Sequence, residues 1–122
     1  MLASSKSEER LMQSRLTYVM KFVSDMDRAV RFYRDTLGLP VKFQSPGWSE
    51  FSTGDVTLAL HPATEKKAAG SVELGFAVDG LEKIHAQGES SGVTFIGPLR
   101  REHGVLLATF LDSEGAECSA SV

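Results

Sequence analysis

Residues 22–39 read FVSDMDRAVRFYRDTLGL and contain the end of a strand, a helix and the signals that stop the helix. The segment just before, residues 16–23 (LTYVMKFV), is rich in β-branched and aromatic residues, as is typical of strands. Gly38 can close a helix in a left-handed conformation, and Pro40 prevents its continuation. The helical stripe itself consists of apolar residues spaced three and four apart: Met26, Ala29, Val30, Tyr33 and Leu37.

The same order of elements occurs twice along the chain. Turn dipeptides separate three further strands in the first half, and a polar linker, residues 62–70, precedes the second half. The predicted strands are 16–23, 41–44, 48–52 and 56–61, then 71–78, 93–96, 105–111 and 117–122. A second helix is expected to begin at Leu81 and end at Gly92. The repeat predicts an α+β domain over residues 16–122, with module one at 16–62, module two at 71–122 and a flexible leader at 1–15.

Composition and charge exclude several classes of function. The net charge is −3 and the basic residues are scattered, so no nucleic-acid partner is expected. No stretch approaches the ~18 apolar residues of a membrane span. The single cysteine, Cys118, cannot form an internal disulfide. These features favour a cytoplasmic protein that does not contact membranes.

A single βαβββ module cannot bury both faces of its sheet, because its helix covers only one of them. Two tandem modules are therefore expected to form a curled mixed sheet, a half-barrel around a concave cavity. Alternate strand residues would line this cavity, and concave sites of this kind favour small-molecule ligands.

The residues in these segments also carry a family resemblance. The run 22–39, with its FY and LGL phrases, strongly resembles the first module of glyoxalases, bleomycin resistance proteins and extradiol dioxygenases. Residues 74–79 (LGFAVD), 92–93 and 97–98 are similar to the second module, and residues 110–115 (FLDSEG) look like its closing turn. The resemblance covers residues 16–122 and implies the vicinal oxygen chelate fold. It implies no single function, since this fold hosts lyases, dioxygenases and binding proteins.

In family enzymes four strand positions typically hold a divalent metal. The resemblance places these positions at Tyr18, Ala59, Glu73 and Ser119. Only Glu73 is a competent ligand, whereas a catalytic metal site normally needs about three protein ligands. We therefore expect no metal or other cofactor. A divalent metal held by a rearranged site at His61 and Glu73, with His103 as a third candidate, is the alternative.

Other residues could bind a ligand or take part in chemistry. Trp48 is a candidate stacking surface, although a structural tryptophan fits the sequence equally well. His61 follows Ala59 by two residues, so both should lie on the same face of the strand. The alternative is that His61 ends the strand as a residue of the cavity rim. Glu73 is the candidate general base. The alternative role of its carboxylate is a solvent-exposed charge at the mouth of the cavity. His103 ends a charged run, residues 100–103, which is read as a loop.

The complete set of predicted ligand-binding residues is Tyr18, Trp48, Ala59, His61, Glu73, His103 and Ser119. The first hypothesis is a metal-free, glyoxalase- or bleomycin-resistance-like protein that binds a small organic molecule in the cavity. The second is an enzyme of the lyase or dioxygenase type. The resemblance also implies a homodimer. The identity of the ligand cannot be read from the sequence.

Overall fold

The computed structural model describes residues 13–102 and 104–122. Its strands are β1 Gln13–Val23, β2 Val41–Phe43, β3 Ser49–Ser52, β4 Thr57–Pro62, β5 Val72–Asp79, β6 Thr94–Glu102, β7 Val105–Leu111 and β8 Glu117–Ser121. Helix α1, Met26–Arg31, continues as a π-helical turn, Phe32–Thr36, and helix α2, Leu81–Gln87, continues as a 3-10 turn, Gly88–Ser91. The predicted α+β fold with two βαβββ modules is confirmed.

In the first half of the chain the strand order is β2-β3-β4-β1, followed by the start of β5, and in the second half it is β5-β8-β7-β6. Strands β1 and β4 are parallel, whereas β2–β3, β3–β4, β6–β7 and β7–β8 are antiparallel. The chain divides into two compact units, and Leu16–Gly75 forms one of them. The described part of the other consists of residues 13–15 and 76–122. The predicted half-barrel would have to be formed by both units together, and it stays a prediction.

The unit Leu16–Gly75 is held together by α1 packing on one face of its strands. Asp25 caps the helix, because its side chain accepts a hydrogen bond of 3.0 Å from the backbone N–H of Arg28. Gly38, at a φ of 73°, ends the helical segment as its sequence predicts. The core beneath the helix is formed by the fully buried side chains of Val30, Phe51 and Leu60.

The other unit repeats this arrangement with α2. Leu81 and Ile84 on the helix are buried against Val78, Ala108 and Ala120 on the strands. Cys118 is buried, in agreement with its interpretation as an apolar filler. Among the described residues, no helix has the length and apolar content that crossing a bilayer requires.

Three local features differ from the sequence prediction. Strand β1 begins at Gln13 instead of Leu16, so only residues 1–12 of the expected leader lie outside the described part of the chain. The second half of helix α1 is π-helical, with the N–H of Leu37 bonded to the carbonyl of Phe32 at 3.0 Å. Residues 100–102, predicted to be in a loop, continue β6. This strand ends the sheet order, and edge strands commonly carry charges on both faces.

Candidate functional site

The face of the first-module sheet that points away from α1 carries most of the predicted site residues. Leu58 and Leu60 on β4 pack in the core under α1, so strand alternation places Ala59 and His61 on the opposite face. We call this second side the open face. The register sets Glu50 and Met20 on either side of Ala59, and Phe22 beside His61.

Glu73 joins the open face through a bulge at the start of β5. The N–H of Gly70 donates to the carbonyl of Phe22 at 2.7 Å, and the N–H of Phe22 donates to the carbonyl of Ser71 at 2.9 Å. With Gly70 at a φ of 91°, this is the pattern of a G1 β-bulge, in which two residues oppose one. Counting onward from this bulge places Glu73 opposite Met20. Residues of four neighbouring strands therefore form one row: Glu50, Ala59, Met20 and Glu73.

Aromatic rings surround the small side chain of Ala59. The ring centroids of Tyr18 and Trp48 lie 6.4 Å apart, and those of Trp48 and His61 lie 6.1 Å apart with edge-to-face geometry. The His61 ring is in turn 5.3 Å from that of Phe22. Ala59 is completely buried, while Tyr18, Trp48 and His61 remain partly exposed. The rings thus form a continuous surface over the alanine, within the contact range of aromatic pairs.

A carboxylate organises this surface. Glu50 Oε2 accepts a hydrogen bond of 2.8 Å from Trp48 Nε1, and Tyr18 donates a second hydrogen bond to the Glu50 side chain. Lys42 Nζ lies 4.0 Å from Glu50 Oε1 and donates to Thr57 Oγ1 at 2.9 Å. Hydrogen bonds to an ionised acceptor are stronger than neutral ones. Glu50 therefore fixes the orientation of both the tryptophan and the tyrosine.

This environment changes the pKa of the Tyr18 side chain. Burial raises the pKa of the Tyr18 phenol above its ordinary value of 10.0, and the negative charge of Glu50 and the hydrogen bond to it raise the pKa further. The phenol consequently remains protonated and donates to Glu50 throughout the physiological range.

His61 has a defined orientation as well. Its Nδ1 lies 2.7 Å from the carbonyl oxygen of Pro62. Because a carbonyl can only accept, we assign the proton to Nδ1, which leaves Nε2 of the neutral ring as an acceptor. The imidazole can therefore stack against a ligand and also accept a hydrogen bond from it.

The residues at the four inherited metal positions do not fit a metal ion. Tyr18 is engaged with Glu50, and Ala59 offers no ligand atom. The Glu73 carboxylate lies 2.9 Å from Lys67 Nζ, so an ammonium group already neutralises it. Ser119, on β8 of the other unit, is half-buried and offers only a neutral hydroxyl. Within residues 13–102 and 104–122, no group of three or more His, Cys, Asp or Glu side chains could hold a metal.

The open face thus brings together five of the seven predicted ligand-binding residues: Tyr18, Trp48, Ala59, His61 and Glu73. Ser119 belongs to the other unit, and His103 lies outside the described residues. The sequence analysis missed Glu50, although strand alternation from Trp48 would have placed it on the same face. It also missed Lys67, because no local pattern shows where a linker side chain ends.

A separate cleft lies beside helix α1. It has a volume of about 340 Å³ and is lined by residues of the β1 end, the helix and the linker, among them Lys21, Arg28, Phe32 and Gly70. Lys21 Nζ donates to the carbonyl of Gly70 at 2.8 Å, so this lysine helps to attach the linker to β1. None of the six predicted site residues that the structure describes lines the cleft.

Comparisons with known proteins agree with this architecture. The family described as Glyoxalase/Bleomycin resistance protein/Dioxygenase superfamily matches residues 15–118. No curated protein sequence matches the chain.

Among solved structures, a glyoxalase/bleomycin resistance protein/dioxygenase superfamily member from Vibrio splendidus 12B01 is 16% identical, with a TM-score of 0.62 over 89% of this chain and 97% of that one. Methylmalonyl-CoA epimerase from Mycobacterium tuberculosis is 18% identical, with a TM-score of 0.68 over 87% and 85%. A structure from Legionella pneumophila, described as an NAD-dependent benzaldehyde dehydrogenase, is 21% identical, with a TM-score of 0.68 over 89% and 97%. At these identities the likeness shows the fold alone.

The raised pKa of Tyr18 leads to a prediction for alkaline pH. The neutral phenol is favoured in the folded state, so its contribution to stability is present below pH 10.0 and is lost as pH rises through the higher folded pKa. Absorbance at 295 nm should be followed against pH for the wild type and Tyr18→Phe. The difference curve should have its midpoint above 10.0, and Glu50→Gln should lower that midpoint. A midpoint at or below 10.0 would contradict the described environment.

Proposed function

The chain belongs to the glyoxalase/bleomycin resistance protein/dioxygenase superfamily, and from this premise we propose that it binds a small organic ligand on the open face without a metal ion. The observation that supports the proposal most strongly is the aromatic surface over Ala59. Trp48 and His61 remain partly exposed there, although they contact other rings. A flat ligand can stack on such a surface, and an aromatic pair contributes about 0.5–1.5 kcal/mol beyond its buried area.

Polar groups next to the rings would orient the ligand. Glu50 is partly buried, with 19% of its side chain exposed, and its carboxylate is held by two donors of the protein. His61 Nε2 offers an acceptor at the other side of Trp48. A few convergent polar groups beside an apolar surface are typical of small-molecule sites. The proposed ligand is therefore flat, with at least one hydrogen-bond donor.

The alternative is an enzyme of the lyase or dioxygenase type, which would use a metal at His61 and Glu73 or Glu73 alone as a base. One contact argues against the metal site: the ion pair of Glu73 with Lys67. The same ion pair argues against Glu73 as a free base, because the ammonium of Lys67 already occupies its carboxylate. Binding is consequently the preferred proposal.

The proposal extends to assembly and location. We propose a homodimer on the strength of the family resemblance, and residence in the cytoplasm because the single cysteine needs no oxidising compartment. Sedimentation velocity at working concentration should give the mass of two chains.

Trp48 is the single tryptophan of the chain, so its fluorescence reports directly on the open face. Titration with flat aromatic compounds that carry a hydrogen-bond donor, such as phenol and catechol, should change its emission saturably for at least one compound. His61→Ala should weaken that binding about 3- to 10-fold, because one stacking ring is lost. His85→Ala is the matched control, since His85 also contacts an aromatic ring, Phe95 at 4.9 Å, but on helix α2. Emission that no compound alters, or equal effects of both substitutions, would count against the site.

Metal analysis of the purified protein separates the two hypotheses. Elemental mass spectrometry should find zinc, nickel, iron and manganese far below one equivalent per chain after growth in metal-supplemented medium. Glu73→Gln should leave these values unchanged. One equivalent of a chelator-sensitive metal, reduced by Glu73→Gln, would instead support the enzyme with a rearranged metal site.

A further inference from the structure

The cleft beside helix α1 lies on the other side of the first-module sheet from the open face. Val23 packs in the core beneath the helix, so strand alternation directs Lys21, two residues earlier, to the helix side. All residues that line the cleft belong to the unit Leu16–Gly75. We propose that this cleft is a second ligand site, which takes a small carboxylate with an apolar body. Such a site does not depend on what the open face binds.

Two cations line the cleft, and their hydrogen bonds go to neutral oxygen atoms. Lys21 Nζ donates to the carbonyl of Gly70 at 2.8 Å, and Arg28 Nη2 donates to Ser24 Oγ at 3.2 Å. Within the part of the chain that the structure describes, neither cation takes part in an ion pair. An ammonium has three N–H donors and a guanidinium has five, so both groups keep donors for an anionic ligand.

The lining also contains one carboxylate, which already has a structural role. Asp25 Oδ1 accepts the hydrogen bond of 3.0 Å from the backbone N–H of Arg28 and thereby caps the helix. The charged side chains of the lining are thus two cations and one anion, and their sum is one positive charge. A ligand with a single negative charge matches this sum, which favours a monocarboxylate.

An exposed aromatic ring gives the cleft its apolar wall. Phe32 has an exposed fraction of 48%, and its backbone N–H donates to the carbonyl of Arg28 four residues earlier. Side chains four residues apart on a helix are neighbours, so the ring and the guanidinium line the cleft together. The guanidinium fork matches a carboxylate, and covering the ring with an apolar body removes apolar surface from water.

The size of the cleft limits the ligand. Its volume of about 340 Å³ lies at the lower end of the range for small-molecule sites. At about 30 Å³ for each water molecule, this volume holds roughly eleven water-sized groups. Phe32 also begins the π-helical turn, and turns of this kind are frequent at functional sites. A short arylalkanoate such as 3-phenylpropionate therefore fits the charge, the apolar wall and the volume.

Titration with 3-phenylpropionate, followed in nitrogen-15 correlation spectra of the full chain, provides the test. The amide signals of Arg28, Ala29 and Phe32 should shift saturably, whereas the indole signal of Trp48 on the open face should keep its position. The amide 3-phenylpropanamide has nearly the same shape but no charge. It should bind about tenfold more weakly, because the charge-assisted hydrogen bonds are lost.

Substitution of the arginine tests the anion partner. Arg28→Gln should weaken the binding of 3-phenylpropionate about three- to tenfold, since one hydrogen-bonding cation is removed. Arg31→Gln is the matched control, because Arg31 is an exposed arginine of the same helix that does not line the cleft. Its loss should leave the affinity unchanged.

Three results would overturn this assignment of the cleft. The first is a wild-type spectrum in which 3-phenylpropionate at millimolar concentration shifts neither the Arg28 nor the Phe32 amide signal. The second is equal affinity for the carboxylate and its amide, and the third is an equal effect of Arg28→Gln and Arg31→Gln. Circular dichroism spectra must show that each variant is folded, and Lys21→Gln replaces the other cation if Arg28→Gln is not.

Discussion

A carboxylate held over a small residue organises the open face. Ala59 has no side chain beyond its methyl group, so Trp48 and Tyr18 can approach each other above it, and Glu50 accepts a hydrogen bond from each. A larger side chain at position 59, which is completely buried, would separate these groups. This arrangement determines the direction of the exposed aromatic surface and the protonated state of Tyr18. The proposed binding mode follows from both.

The sheet explains why these residues meet although they are far apart in sequence. The parallel pairing of β1 with β4 brings Met20 beside Ala59, the antiparallel pairing of β3 with β4 brings Glu50 to its other side, and the bulge at Gly70 sets Glu73 at the end of the row. One carboxylate thus lies at each end, and each has a lysine nearby, at 4.0 Å for Glu50 and 2.9 Å for Glu73. Each acid of the row therefore has a positive charge beside it.

Much of this architecture could be predicted from the sequence, because it depends on short-range patterns. Alternation along a strand identified the face of Tyr18 and His61, and the turn dipeptides identified most strand ends. The features that were missed depend on distant partners. Glu50 has a role only because Tyr18 and Trp48 donate to it. Lys67 lies in a linker whose path is fixed by hydrogen bonds, and the π-helical turn after Arg31 has no signature in the apolar spacing.

The most direct test of the account is the indole N–H signal of Trp48 in a nitrogen-15 correlation spectrum, because the chain contains only this one tryptophan. In the wild type, the hydrogen bond to Glu50 should protect this proton from exchange with water. Glu50→Ala should shift the signal and accelerate its exchange markedly, whereas Glu65→Ala, an exposed residue of the linker, should change neither. An indole proton that exchanges freely in the wild type and does not respond to Glu50→Ala would contradict the account.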